Sequence, residues 1–303
     1  MRDRSEWRRA LALMAAASGV GLASGREMAI FFGQFKSAAW AGILAAAALY
    51  GLLTGLLTAR PLSCPPEPRR LALAFQGLNL TLAALTAAVM LSSLGRVGAL
   101  TLPLRHSYAF GALFGLLAAF GLSRLSESGL AALGALVSLY AGGFYIACAA
   151  DPRPVTLHVR GAVDYTLAGC LPAALLLGML YAALNACAAR WGVRDRGAGP
   201  VRPLGLALKS AALLAALLSC ALLALRRGGD AAMAQPLPWV ILSARWGLPG
   251  FWLCALLKAL CAAATLACAL RPLMHPGACA TPRALRVGAW VLAVLMFAVL
   301  SAA

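Results

Sequence analysis

Apolar runs of about twenty residues recur from residue 9 to residue 302, a length that carries an α-helix across a hydrocarbon core. The short gaps between them hold most of the arginines. Only helices and closed barrels satisfy every backbone polar group in lipid, and runs of this length without alternation are helical. The chain is 62% hydrophobic and 12% charged, with a mean hydropathy of +0.85. A soluble domain cannot bury that much apolar surface. The fold class expected is therefore an all-α polytopic membrane protein, residues 1–303 forming a single membrane domain. Nine spans are predicted, at 9–34, 38–59, 71–94, 107–123, 128–149, 163–189, 204–225, 250–270 and 285–302.

A net charge of +17 would point to nucleic acid in a soluble protein. Here the charges sit in gaps between spans and read as a topology signal, with no basic stretch interleaved with aromatics. With the N-terminus in the cytoplasm, the inside segments carry fifteen Arg and Lys and the outside segments eight. That bias predicts an integral plasma-membrane protein with a cytoplasmic N-terminus. MRDRSEWRR followed by a short apolar run has the outline of a secretory leader, but the apolar character resumes at once in MAIFFGQF, so the segment is expected to stay and span.

The nine cysteines show no CxxC pair and no zinc-type spacing with histidine. Cys254, Cys261 and Cys268 recur every seven residues on one helix face, the pattern of small packing residues. Pro236, Pro238 and Pro249 break the apolar stretch 226–250, and PWVILSARWG within it reads as a short helix on or dipping into the outer face. No metal site, cofactor or catalytic residue is expected. The histidines lie far apart, HExxH, the nucleophile elbow and the P-loop do not occur, and the chain is not predicted to be an enzyme.

The first span contains GVGLASGREMAIFF. Gly21 and Gly25 are spaced as in close-packed membrane helices, as are Gly51–Gly55 and Gly111–Gly115. Packing accounts for the latter two pairs. It leaves Arg26 and Glu27 unexplained, since mid-membrane charges cost roughly 2.5–3.5 kcal/mol each. Unwinding near Ala23–Ser24–Gly25 resolves this. Ser24 would cap the second half-helix with Glu27 at the capping-box position, and the open helix ends would attract ions. The alternative is a span ending near residue 24. Gly169 and Pro172 interrupt the sixth span in a comparable place, and five intervening helices would invert the second half. Polar residues mark three further faces: Gln76, Asn79, Thr86 and Ser93; Tyr181 with Asn185; and Lys258 with Cys254, Cys261 and Thr265. Interhelical hydrogen bonding and site lining are both open for the first. A mid-span Lys258 needs a partner, and Glu27 is the acid expected.

ASGREMAIFF at 23–32 resembles the first-helix signature of the YkvI-like membrane proteins, within the amino acid–polyamine–organocation superfamily. VMLSSLGRVGAL, LYAALNA and AQPLPWVILS are similar to later segments of that family, in the right order, and the resemblance runs to about residue 270. It implies a LeuT-type inverted repeat, 1–150 and 160–303, with discontinuous first and sixth helices around a central site and a lid at 226–250. Relatives usually have Gln where Arg26 stands, an acid where Gln235 stands, and an acid near Lys258. They also have a tenth helix, so the second repeat is expected to be shortened.

The function this predicts is secondary transport of a small solute, such as an amino acid or amine, by alternating access. The candidate substrate- and ion-binding residues are Gly21, Ser24, Gly25, Glu27, Gln76, Asn79, Tyr181, Asn185, Lys258 and Thr265. A proton or a sodium ion is the coupling ion expected, with Lys258 standing in for sodium in the first case. Partners are the solute and the lipid bilayer, not nucleic acid. The competing reading is a LeuT-type protein that no longer transports and acts as a scaffold or sensor.

Overall fold

The computed structural model describes residues 2–19, 22, 23, 25–59, 69–153, 165–189, 202–235, 237–274 and 283–302. Among them no strand occurs. The helices are α1 (Arg2–Ala17), α2 (Arg26–Phe31), α3 (Ala39–Ala59), α4 (Arg69–Thr101), α5 (Ser107–Ser123), α6 (Glu127–Ala150), α7 (Leu171–Ala189), α8 (Pro203–Met233), α9 (Pro238–Ser243), α10 (Gly247–Met274) and α11 (Arg283–Ala302). A 3₁₀ segment, Gly33–Ala38, joins α2 to α3. Among the described residues, six helical stretches are long and apolar enough to cross a membrane, and α5 and most of α7 are shorter apolar helices. The chain is a polytopic helical membrane protein.

The helices run alternately between two ends. Glu127 at the start of α6 and Lys209 near the start of α8 both pair with the N-terminal part of α1, which defines a base. Asp151 after α6, Arg227 on α8 and Trp246 meet at the opposite end, beneath the short helix α9. At the base, Arg271 of α10 donates to the carbonyls of Ser123 and Leu125 between α5 and α6. These carbonyls have no intrahelical donor, and a cation near a helix C-terminus is favoured in any case.

Close approach is set by glycine. A Cβ on Gly51 would stand 2.4 Å from the Ala207 carbonyl oxygen, and one on Gly55 2.8 Å from that of Pro203, so α3 and α8 pack backbone to backbone. Gly111 meets Gly98 between α5 and α4, and Gly115 meets Leu94. Both small-residue pairs assigned to packing from sequence do pack. A tighter contact was not among them: a Cβ on Gly134 of α6 would lie 1.9 Å from the Leu11 carbonyl oxygen of α1. Cys254, Cys261 and Cys268 are all buried along the core side of α10.

Three of the later spans differ from their expected extent. The sixth begins at Leu171. Pro172 therefore sits in the first turn, where a missing N–H costs little, and does not kink a longer helix. Gly169 lies in the preceding turn with φ +75°, and its N–H donates to the Phe35 carbonyl at 3.2 Å. The expected residues 163 and 164 lie outside the described residues. The third and seventh spans extend well past their expected ends, as α4 and α8, the latter with a bend at Gly229 (φ +63°).

Replacing Gly134 by Leu is expected to separate α1 from α6, since overpacking at backbone contact costs on the order of 3 kcal/mol or more. A thermal-unfolding scan of the detergent-purified variant should show a clear fall in midpoint relative to wild type. An unchanged midpoint would contradict the α1–α6 contact.

Candidate functional site

The first crossing is interrupted. α1 ends at Ala17, and α2 starts at Arg26 after Gly25, which has φ +83°. The left-handed conformation calls for glycine, and so does the space: a Cβ there would lie 2.8 Å from the Trp239 ring. The N-cap of α2 is Gly25, with no side-chain cap hydrogen bond, so the expected Ser24 capping box is out of register by one residue. Gly21 and Ser24 themselves lie outside the described residues. With only six residues, α2 is too short to present the half-helix end expected to draw an anion.

An interrupted helix exposes carbonyls that must find donors elsewhere. The Ser18 N–H donates to the Met14 carbonyl at 3.0 Å, and the Ala23 N–H to that of Gly19 at 3.2 Å. Thr265 of α10 donates its hydroxyl toward the carbonyls of Ala16 (3.2 Å) and Ala15 (3.5 Å). The Leu22 carbonyl accepts twice, from Tyr145 Oη of α6 at 2.9 Å and from Trp239 Nε1 of α9 at 2.7 Å. Trp239 is fully buried and packs on the Tyr145 ring with centroids 4.7 Å apart. The short lid helix is thus bolted onto the break.

Arg26 and Glu27 part company. Arg26 is exposed at the lid end and reaches the Gln235 carbonyl. Glu27 is partly buried and lies within electrostatic reach of Tyr181. Among the described residues it has no hydrogen-bond or ion-pair partner, and the expected pair with Lys258 is not formed. The Tyr181 hydroxyl is buried without a hydrogen-bond partner. Its ring meets Phe31 and Phe32 edge-on at 5.5 and 5.4 Å. An acid, an unsatisfied hydroxyl and two aromatic rings therefore converge beside the break.

Not every expected site residue joins them. Lys258 is buried in α10 and interacts with Cys254 and Arg96. It lies two turns, about 10 Å of helix rise, from Thr265 on the same face of α10, toward the lid. Asn185 spends its amide on the Tyr181 carbonyl one turn back, at 2.9 Å. On α4 the neighbour of the break is Met90, whose methyl is 3.4 Å from a Cβ placed on Gly19. Gln76 and Asn79 lie roughly 21 and 16 Å of helix rise below it, toward the base. The Gln76 side-chain oxygen is buried and unpartnered there, as is the Ser93 hydroxyl near the other end of the stripe.

Sequence reading located the lid but missed Tyr145, Trp239 and Phe31, because an aromatic in an apolar run carries no mark of the carbonyl or ring it will meet. It also passed over Asp151, the one acid between residues 128 and 163. That carboxylate accepts Arg153 Nε and Nη2, both at 2.9 Å, the Arg153 backbone N–H at 3.0 Å and Trp246 Nε1 at 2.7 Å. Its carbonyl accepts Arg227 and Arg245. Asp151 ties α6, α8 and the lid together. The Arg153 hydrogen bonds hold its carboxyl well below the usual carboxylate range. No protein-family model matches the chain, and no curated protein matches it.

Two outcomes follow. In a cysteine-depleted background, Ala23→Cys should react slowly with a membrane-impermeant maleimide and at least tenfold faster once Trp239→Ala is added; equal rates would show that the lid does not seal the break. Asp151 contributes stability above its unfolded pKa near 4, lost as pH falls from there toward its lower folded value. Thermal midpoints of wild type and Asp151→Asn should therefore converge as pH drops below about 4. A gap that persists unchanged at low pH would remove Asp151 as the cause.

Proposed function

We propose that the chain is a secondary transporter of the LeuT type, related to the YkvI-like proteins, that carries a small amine-bearing solute such as an amino acid. The observation that carries the reading is the broken first crossing, with an unpaired Glu27 and the orphan Tyr181 hydroxyl beside it. A carboxylate next to aromatic faces and an acceptor-rich helix end is a natural seat for a protonated amine. Glu27 would take the ammonium, Tyr181 a polar tail, and Phe31 and Phe32 the apolar part.

Packing supports the inverted repeat. α3 packs against α8 and α4 against α10, the pairs that a two-fold operation would exchange. α4 on α11 mirrors α10 on α5, and α3 on α7 mirrors α8 on α1. The base collects the segments richest in arginine, which supports a cytoplasmic N-terminus. Of the two coupling ions, sodium is the one that the oxygen set of Ala15, Ala16 and Thr265 fits in kind, as hard ligands from backbone carbonyls and a hydroxyl.

Both ends of the broken crossing are closed. The lid covers one. At the base, Lys209 pairs with Asp3 and Glu6, and Arg9 Nε with Glu127 at 3.3 Å. This is the occluded arrangement in an alternating-access cycle, with α1 the moving part. Proteoliposomes offered a panel of labelled amino acids and amines should accumulate at least one of them, and Glu27→Gln should reduce that uptake at least tenfold while the protein reconstitutes normally. Flux equal to empty liposomes across the panel would instead favour a non-transporting scaffold or sensor.

A further inference from the structure

A groove of about 590 Å³ runs along the surface between α6 and α8 at the lid end. Its walls are Ile146 and Ala149 from α6 and Cys220 and Leu223 from α8. Ile146 is 57% and Leu223 49% exposed, so the groove faces the surroundings of the helix bundle and not its core. Arg226 and Arg227 close one end of it.

The depth of those arginines is fixed by the helix that bears them. They lie roughly 35 Å of helix rise above Pro203, where α8 starts, which is about the thickness of the hydrocarbon core. The apolar trough is thus at acyl-chain level and the two guanidinium groups at headgroup level. Arg226 gives one N–H to the Lys36 carbonyl and Arg227 one to that of Asp151. Those bonds anchor the side chains and leave further donors free on each guanidinium. Arginine pairs well with phosphate oxygens.

We infer that this groove binds an anionic phospholipid of the lid-side leaflet, one acyl chain lying along Ile146, Ala149 and Leu223 and the phosphate held by Arg226 and Arg227. The assignment is independent of what the chain transports. Both arginines also hold neighbouring carbonyls, so an occupying lipid steadies the junction of α6, α8 and the lid.

Native mass spectrometry of the detergent-purified full chain, titrated with dioleoyl-phosphatidylglycerol or dioleoyl-phosphatidylcholine, tests it. Wild type should retain one phosphatidylglycerol at roughly tenfold lower concentration than phosphatidylcholine, as expected when two arginines meet an anionic headgroup. Arg226→Gln with Arg227→Gln should abolish that preference. Leu223→Trp fills the trough with both arginines intact, and should lose the bound phosphatidylglycerol even where the double variant does not fold. Equal retention of the two lipids by wild type, or an unaltered preference in Leu223→Trp, would overturn the site. So would disulfide cross-linking of Ile146→Cys chains to one another in intact membranes, which would put a second copy in the groove.

Discussion

The arrangement depends on how the carbonyls of an interrupted helix are answered away from water. α1 stops at Ala17, deep in the bundle, and Leu22 turns its carbonyl between two buried donors, Tyr145 Oη and Trp239 Nε1. Thr265 reaches the last turn of α1 from α10. In lipid an unanswered backbone group costs several kcal/mol, so these side chains are what make the break tolerable. They also decide which elements must surround it. α6, α9 and α10 each supply one donor, and each is therefore held in contact with the first crossing.

The same bonds set the local backbone at the break. Gly25 takes a left-handed conformation directly under the Trp239 ring, where a side chain has neither the dihedral freedom nor the room. The lid sits on this glycine-bearing linker through one indole hydrogen bond. At the far end of α1 the fastening is ionic, through Lys209 and Arg9. The two fastenings are chemically distinct, an indole hydrogen bond at the lid and ion pairs at the base.

Much of this was legible in the sequence, for physical reasons that differ by element. The spans at 38–59 and 107–123 match α3 and α5 closely because long apolar runs bounded by proline, arginine or polar residues leave few other readings. The break was legible because adjacent charges and clustered glycines are costly in an uninterrupted membrane helix. Its register was not: the cap falls on Gly25, since Trp239 occupies the space that any side chain at that point would need. The pairing of Lys258 with Glu27 was not legible, because a buried lysine announces that it needs surroundings but not which ones; here Cys254 lies one turn away on the same helix. Gln76 and Asn79 share a face with Thr86 and Ser93, but face says nothing of height, and they stand toward the base.

The transport cycle proposed above requires α1 to move as a rod released at one end at a time. Pulsed electron paramagnetic resonance between spin labels at the exposed positions Arg4 on α1 and Ser128 on α6, in liposomes, measures it directly. One narrow distance distribution is expected in the otherwise wild-type chain, and a second, longer population when Lys209→Met removes the fastening to Asp3 and Glu6. A single distance unchanged by that substitution would mean that α1 is a fixed post, and the alternating-access reading would fail.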